Sequence, residues 1–425
     1  MTRMKNNNYI LKTLFLSIFF AIFIYGCEEN KYPDSIYDPD DLGKSSPIIT
    51  SVEPSMGKVF SGIDTVWING SNFSNVISEN SVFFSGEPAL IVSATETQLI
   101  VIAPPVSGTD VLIQVAVEGA FNYGEWSNYS LFESVVEVIA FGENMETFAL
   151  AMNKGDSLFI SLTKPKEVIL RLSPEGVELP VLNEDSVEVE YSPFSQQPAS
   201  GMKWGPDGSL YYAAKSEFLI TIPPGGGDWK LFPPNIRFPG KNIDLDFDEN
   251  NVIYAAGDGS AIYTMTQDGT SETAAIYDQL QFKAIRVFDG YVYVAGRYRG
   301  DDSTRVQEGI WKHEILDAIG TLGASELVFD WGKEFGYIPA SMIAMAFAAD
   351  GDIYISSDKG YAISVIHPDG STEPLYPAVM PYEIKYMTWG SGDFLFASRR
   401  DLGEKKSQVL KIDMRKPGAP YYGRQ

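Results

Sequence analysis

The feature that most constrains the fold is a pattern repeated six times between residues 135 and 425. Each copy contains alternating apolar residues, then a turn rich in Asp, Gly or Asn, then a short apolar strand. The copies occupy residues 147–161, 201–214, 242–256, 284–295, 342–356 and 384–398. Alternating polarity predicts β-strands, and self-similarity at a recurring interval indicates a repeat architecture.

An aromatic residue marks the same place in each copy, and successive aromatics are 39 to 61 residues apart. They are Phe159, Tyr211, Tyr254, Tyr293, Tyr354 and Phe396. Each copy is followed by a third strand, as in residues 261–270 and 362–372. Repeats of this length with four strands are typical of propeller blades. Residues 356–371 also resemble an NHL-type repeat, so we expect residues 135–425 to form an NHL-like six-bladed β-propeller.

The sixth copy lacks a fourth strand, because the chain contains only one more apolar strand after it, in residues 408–414. An unassigned apolar segment, VVEVIA at residues 135–140, lies immediately before the first copy. We expect this segment to supply the outer strand of the last blade. The two ends of the propeller would then lock together and leave no open sheet edge.

Residues 47–134 predict a separate β-domain. Val66 and Ile68 alternate with polar residues ahead of a turn, as in a half-buried strand. Four pieces in order, at residues 49–57, 66–73, 82–86 and 103–105, resemble the IPT/TIG domain. That resemblance implies an immunoglobulin-like β-sandwich without catalytic residues, serving as a spacer or a protein-contact module. The whole chain is therefore expected to be all-β.

Residues 1–26 have the composition of a secretory signal peptide. Arg3, Lys5 and Lys12 precede an apolar run at residues 14–25, which is shorter than the roughly 20 residues of a membrane-spanning helix. The following Gly26-Cys27 resembles a lipobox, which implies cleavage before Cys27 and a membrane anchor through lipid on its thiol. The alternative is an uncleaved membrane anchor. Cys27 is the only cysteine, so the sequence excludes a disulfide framework and a second reactive thiol.

Residues 27–46 are polar and acidic without hydrophobic periodicity, which predicts a flexible tether. Acidic residues directly after the cysteine resemble the surface-export signal of Bacteroidetes lipoproteins. This resemblance implies an outer-membrane location facing the cell exterior. The formal net charge of −24 argues against nucleic acid as a partner.

Catalytic chemistry has little support in the sequence. Only two histidines exist, His313 on a predicted strand and His367 in a turn, so general-base histidine catalysis is not expected. Asp244, Asp246 and Glu383 are acidic candidates for a metal site, but no spacing singles them out. We therefore expect no catalytic residue, no metal and no cofactor.

Loops on one face of the propeller carry an unusual share of arginines and aromatics for so acidic a chain. This face is the one on which each innermost strand begins, and such loops often carry binding residues. The candidate ligand-binding residues are Arg237, Phe238, Arg297, Tyr298, Arg299, Trp331, Phe335, Tyr337, Tyr361, Tyr382 and Arg399, with Phe194, Lys215, Phe282 and Arg400 nearby. The alternative is that several aromatics pack between blades and that the arginines pair with neighbours such as Asp301 and Asp401.

These features predict a non-catalytic cell-surface lipoprotein that binds a glycan or another extracellular polymer at the propeller mouth. Arginine forks pair with carboxylate or sulfate groups, which favours acidic sugars, and a polysaccharide-uptake system is the expected setting. Two alternatives remain open. The first is a scaffold that binds an outer-membrane protein partner within a cell-envelope complex. The second is a lactonase- or lyase-like propeller enzyme.

Overall fold

The computed structural model describes residues 43–143, 145–163, 168–180, 198–336, 341–358, 360–401 and 406–421. The predicted signal peptide, Cys27 and residues 27–42 of the predicted tether lie outside these ranges, as does Tyr337. Across the described ranges, none of the helices has the length and apolar character needed to cross a membrane.

The first domain is a sandwich of two four-stranded antiparallel sheets, ordered β1-β2-β6-β5 and β4-β3-β7-β8. Side chains of alternating strand positions, such as Val66, Ile68 and Ile113, fill the core between the sheets. The predicted alternation of Val66 and Ile68 is therefore confirmed. The strands are β1 (Ile48–Glu53), β2 (Thr65–Ser71), β3 (Asn80–Phe84), β4 (Glu87–Pro88), β5 (Leu90–Ala94), β6 (Gln98–Ile102), β7 (Gly108–Val117) and β8 (Gly124–Leu131), with a 3-10 turn at Ile77–Glu79.

The remaining described strands form six antiparallel sheets, which are the blades of a propeller. The segment β9 (Val135–Ala140) precedes them. Blades one to three comprise β10 (Glu146–Met152), β11 (Leu158–Thr163) and β12 (Val168–Leu172); β13 (Gly201–Trp204), β14 (Leu210–Ala213), β15 (Leu219–Ile222) and β16 (Lys230–Phe232); and β17 (Asn242–Phe247), β18 (Ile253–Gly257), β19 (Ala261–Met265) and β20 (Ser271–Ile276).

Blades four to six follow the same order of strands, from the innermost outward. They comprise β21 (Leu280–Phe288), β22 (Tyr291–Tyr298), β23 (Glu308–Glu314) and β24 (Glu326–Asp330), followed by helix α1 (Trp331–Phe335); β25 (Met342–Phe347), β26 (Ile353–Ser357), β27 (Ile363–Ile366) and β28 (Thr372–Pro374); and β29 (Ile384–Trp389), β30 (Phe394–Asp401) and β31 (Lys406–Asp413).

The innermost strands β10, β13, β17, β21, β25 and β29 contact one another in that order, and β29 contacts β10 again. Each of the six predicted repeats supplies the first two strands of one blade, so the predicted six-bladed propeller is confirmed. The recurring aromatic lies on the second strand of every blade. Phe159, Tyr211, Tyr254, Tyr354 and Phe396 are buried there, and Tyr293 is half-buried.

The ring closes by pairing strands from opposite ends of the domain. Strand β9 lies antiparallel beside β31, with Val135 opposite Ile412 and Ala140 opposite Gln408. Blade six therefore has four strands in the order β29-β30-β31-β9, as the sequence predicted. The closure satisfies backbone groups that would otherwise form two open edges.

The two domains are joined by charged contacts beside the β9–β31 pair. Lys58 Nζ lies 2.8 Å from Asp413 Oδ2, and Arg415 pairs with Asp64. The Arg415 guanidinium also lies 4.2 Å from the centroid of the Phe60 ring. These contacts connect the sandwich to the end of the last propeller strand, at Asp413, and to the segment that follows it, at Arg415.

Candidate functional site

A cavity of about 590 Å³ opens on the face of the propeller where the innermost strands begin. We call it the mouth cavity. Its walls are the first residues of β10, β13, β17, β21, β25 and β29, together with loops that join the second strand of a blade to its third. This is the face on which the sequence placed the candidate binding loops.

Basic side chains reach this cavity because of strand alternation. Lys203 lies between the buried Met202 and Trp204, and Lys283 lies between the buried Phe282 and Ala284. Successive side chains of a strand point to opposite faces, so the apolar neighbours enter the blade and the lysines face the channel.

The charge of the mouth cavity is opposite to that of the chain as a whole. The chain carries a formal charge of −24. The mouth cavity is lined by seven cationic residues against four carboxylates. The cationic residues are Lys203, Lys215, Lys241, Lys283, Arg286, Lys385 and Arg400, and the carboxylates belong to Glu146, Asp244, Asp258 and Asp358.

An ion-pair network joins three blades at the floor of the cavity. Arg286 Nη1 lies 2.5 Å from Asp244 Oδ2, and Lys203 Nζ lies 3.8 Å from Asp246 Oδ1. The backbone N–H groups of Ile285 and Val287 also donate to these carboxylates. Burial raises the pKa of Asp244 and lowers that of Lys203, against the opposing effect of their partners. The charges at the floor are thus balanced within the protein.

The lysines above the floor have no such partners. In the part of the chain that the structure describes, Lys215, Lys241, Lys283 and Lys385 form neither an ion pair nor a side-chain hydrogen bond. Burial lowers the pKa of Lys283, and the nearby charge of Arg299 lowers it further. These ammonium groups can therefore accept an anionic partner from solution.

The carboxylates on the cavity wall are engaged by other donors. Asp258 accepts a hydrogen bond from the side chain of Gln281, and Asp358 Oδ1 accepts one from the backbone N–H of Ser341 at 2.6 Å. Glu146 Oε1 pairs with Arg400 Nη1 at 2.8 Å. Of the basic residues above the floor, Arg400 is thus the one that a wall carboxylate neutralises within the described residues.

Two aromatic rings contribute apolar surface to the same cavity. Phe148 and Tyr386 both line it, and their ring centroids are 6.2 Å apart. Burial raises the pKa of the Tyr386 hydroxyl, so this group is neutral. A cavity that combines aromatic faces with a few converging charges has the character of a small-molecule or oligomer binding site.

Three candidate aromatics lie in the core. Phe238, Tyr298 and Trp331 are only 3%, 8% and 1% exposed, respectively. Phe238 packs against Tyr263, and Trp331 lies 4.3 Å from Phe335, measured between ring centroids. The interpretation that several aromatics pack between blades is correct for these three, because each belongs to a buried cluster formed by residues of neighbouring blades.

The other candidates occupy different parts of the mouth face. Arg237 pairs with Glu217 at 3.0 Å, and Arg399 donates to the side chain of Gln408 at 2.5 Å. Tyr361 and Tyr382 are exposed but line no described cavity. Arg297 and Arg299 line a second, smaller cavity together with Tyr298.

Five cavity residues escaped prediction; four lie on the innermost strands rather than on loops, and the fifth, Lys241, directly precedes β17. They are Lys203, Lys241, Lys283, Arg286 and Lys385. The sequence feature that could have identified the strand residues is a basic residue between apolar residues at the start of an innermost strand. Lys215 and Arg400, by contrast, were among the predicted loop residues and do line the cavity.

Neither histidine lines the mouth cavity. His313 is buried in blade four, where Nε2 lies 2.7 Å from the Tyr277 hydroxyl and Nδ1 lies 2.8 Å from the carbonyl oxygen of Gly323. His367 Nδ1 lies 2.8 Å from Asp352 Oδ1. The described residues contain no cluster of three His, Cys, Asp or Glu side chains able to hold a metal ion. Asp244 and Asp246 are occupied by the ion-pair network at the floor.

Comparison with known proteins bears on the fold. Residues 47–134 match the family model of the IPT/TIG domain. The sequence matches none of the curated proteins. An auxiliary nutrient binding protein from Bacteroides thetaiotaomicron is similar in structure, with a TM-score of 0.53 and 12% identity over 88% of this chain and 98% of its own.

A second auxiliary nutrient binding protein, from Bacteroides ovatus, is similar with a TM-score of 0.50 and 12% identity over 87% of this chain and 98% of its own. At this level of identity the likeness concerns the fold. The chain is therefore an all-β protein in which an IPT/TIG domain precedes a six-bladed β-propeller.

Proposed function

We propose that this protein is a non-catalytic cell-surface lipoprotein that binds an acidic glycan at the mouth cavity of its propeller. The observation that carries the proposal is the group of Lys215, Lys241, Lys283 and Lys385, which line one cavity and form no ion pair or side-chain hydrogen bond among the described residues. Carboxylate or sulfate groups on a sugar chain supply the missing charge. The paired rings of Phe148 and Tyr386 offer an apolar surface to the sugar rings.

A role in nutrient capture is supported by the two Bacteroides proteins of similar fold, which are both named auxiliary nutrient binding proteins. The lipobox-like Cys27 and the acidic residues that follow it support an anchor on the outer membrane facing the exterior. In this arrangement the IPT/TIG domain holds the propeller away from the membrane, and the bound glycan is passed to an uptake system.

The binding proposal is tested with polygalacturonate, alginate and chondroitin sulfate, with dextran as the neutral polymer, by affinity electrophoresis and calorimetry. We expect at least one acidic polymer to bind and dextran not to bind. The double variant Lys283→Ala, Lys385→Ala should lose about tenfold in affinity, equivalent to about 1.4 kcal/mol.

Arg237→Ala is the matched control, because Arg237 is a cation on the same face that already pairs with Glu217 and lines no described cavity. This variant should bind as the wild type does. Absence of binding to all three acidic polymers, or equal binding to dextran, would overturn the proposal.

The anchor has a separate test. Metabolic labelling of cells with a palmitate analogue should label the wild type and leave Cys27→Ala unlabelled. Protease added to intact cells should degrade the propeller if it faces the exterior. An unlabelled wild type contradicts the lipid anchor, and complete protection from protease contradicts the exterior location.

A protein-scaffold role is the second candidate, and the sandwich domain carries the observation that favours it. Trp67, Leu90 and Val92 are exposed large apolar side chains on strands β2 and β5 of one sheet. Exposed apolar surface of this kind is typical of protein-contact sites. Crosslinking in intact cells should capture one stoichiometric envelope protein through this sheet, and Trp67→Glu should abolish the crosslink if the scaffold role is correct.

A further inference from the structure

A second cavity lies beside the mouth cavity at the junction of blades four and five. It measures about 310 Å³, and we call it the side cavity. Its lining includes Arg297 near the end of β22, Arg299 just after that strand, Glu308 at the start of β23, and the glycines Gly332 within helix α1 and Gly336 directly after it. Glycine leaves the backbone accessible, so this cavity has a polar, charged wall rather than an apolar one.

The two cavities share a hydrogen-bonded wall. Arg299, which lines the side cavity, donates to the side-chain oxygen of Gln281, which lines the mouth cavity. Gln281 in turn donates to Asp258 on the mouth wall. The side chains that separate the cavities are therefore polar and could face a bound ligand along their length.

Lys283 continues the positive surface from one cavity to the other. It lines the mouth cavity, and it lies close enough to Arg299 and Arg297 for both charges to oppose its protonation, while the charges of Glu308 and Asp258 favour it. Three cations thus follow one another across the wall. An anionic chain lying over them relieves their mutual repulsion, whereas a single anionic group meets only part of it.

The carboxylate of the side cavity, Glu308, is influenced by the charges of Arg297 and Lys283 but forms no ion pair with Arg297 or Arg299 among the described residues. Glu308 Oε1 accepts hydrogen bonds from the backbone N–H of Met342 at 2.7 Å and from the Ser341 hydroxyl at 3.0 Å. Its role is to fix the first residues of blade five. Within the described residues, Arg297 is exposed and its side chain has neither an ion pair nor a hydrogen bond.

From these contacts we infer that the ligand is a linear acidic oligosaccharide that occupies both cavities at once. One anionic sugar lies among the lysines of the mouth cavity, and a later one lies between Arg297 and Arg299, with Lys283 between them. This inference rests on the proposed function and specifies its ligand as an oligomer with repeated carboxylate or sulfate groups. A monosaccharide can occupy only the mouth cavity.

Calorimetry with galacturonate oligomers of one to eight units tests the inference on the full-length protein. We expect affinity to rise with length and then to reach a plateau, because longer oligomers reach the second set of cations. The double variant Arg297→Ala, Arg299→Ala should lose about tenfold in affinity for the longest oligomers and should bind the monomer and dimer as the wild type does.

Two control variants and one folding check test whether the effect of the arginine substitutions comes from the position of these residues. Arg237→Ala changes the charge of the same face and should leave the dependence of affinity on oligomer length unchanged. Lys385→Ala, in the mouth cavity, should weaken every length by the same factor. Both arginines of the side cavity are exposed, so unchanged circular dichroism of their double variant is expected and is checked first.

The outcomes distinguish the inference from the proposed function. Equal affinity for oligomers of every length would overturn the inference that one ligand occupies both cavities. The same holds if the double variant Arg297→Ala, Arg299→Ala shows the wild-type dependence of affinity on length. Either result leaves binding at the mouth cavity intact. No binding of any oligomer or polymer overturns the proposed function itself. An oligothymidylate of equal charge that binds as tightly as the longest oligomer shows general polyanion binding and overturns the assignment to a saccharide.

Discussion

Arg286 and Asp244 form an ion pair that ties the innermost strand of blade four to that of blade three beneath the mouth cavity. The Nη1–Oδ2 distance is 2.5 Å, and the two side chains are 12% and 8% exposed. The same carboxylate accepts a hydrogen bond from the backbone N–H of Ile285. The pair therefore fixes the relative position of two blades directly beneath the mouth cavity.

Replacing Asp244 by Ala should lower the free energy of unfolding by about 3–5 kcal/mol, because Arg286 would remain buried without its partner. Urea unfolding followed by circular dichroism measures the change. Glu146→Ala is the matched control, since it removes a carboxylate from a partly exposed pair with Arg400 and should cost no more than about 1 kcal/mol. Equal losses in the two variants would contradict the structural role assigned to Asp244.

Binding of polygalacturonate should weaken as salt rises from about 0.1 M to about 1 M, because the screening length falls from about 10 Å to about 3 Å. The variant Lys241→Ala, Lys385→Ala should show a shallower dependence of log affinity on log salt concentration, since two of the cations are gone. Lys154→Ala, a cation exposed on the turn between β10 and β11, should keep the wild-type slope. A slope unchanged in the double variant would contradict the role of these lysines.

His367 should make stability depend on pH. Its hydrogen bond to Asp352 raises the pKa of the imidazole above its ordinary value, with a further contribution from Glu373, while burial and the charge of Lys416 oppose the shift. A raised pKa in the folded state stabilises the fold fully below the unfolded pKa of about 6.5, and this contribution disappears as pH rises through the folded pKa.

The melting temperature of His367→Gln should therefore fall below that of the wild type at about pH 5.5 and approach it at about pH 9. Differential scanning fluorimetry across this range measures the difference. A difference that stays constant or grows with pH would show that the His367–Asp352 contact does not depend on the charge of the imidazole.

The contacts of Arg415 and Lys58 should limit motion between the sandwich and the propeller. In the double variant Arg415→Ala, Lys58→Ala, small-angle X-ray scattering should show a larger maximum dimension, because the pairs with Asp64 and Asp413 are lost. Lys416→Ala is the control, since Lys416 pairs with carboxylates inside the propeller. A scattering curve identical to that of the wild type would show that other contacts between the two domains limit their relative motion.

Most of the fold was predictable because strand alternation is a local signal. Val66 and Ile68 revealed a sandwich strand, and the recurring aromatics, such as Tyr254 and Tyr354, revealed the second strand of each blade. Even the closure by Val135–Ala140 followed from counting strands in the last repeat. These inferences needed only the period of the pattern and the requirement that sheet edges be paired.

The site was less predictable because its charges converge only when the ring closes. Lys203, Lys283 and Lys385 lie far apart in the sequence, and each taken alone resembles a solvated strand residue. Phe238 and Trp331, which were predicted to lie on loops, were misleading for the opposite reason. A large apolar side chain in a loop can fill a gap between blades as readily as it can contact a ligand, and composition does not separate the two.

The pairing of β9 with β31 also sets an order on biosynthesis. The chain is synthesised from its N-terminal end, so Val135–Ala140 emerges long before its partner, Lys406–Asp413. Contacts between such distant segments form late, because the intervening loop must first be ordered. Until then the nascent propeller presents an unpaired strand at its seam. Completion of this one sheet therefore marks the moment at which a newly made molecule no longer presents an unpaired strand edge to aggregation or proteolysis.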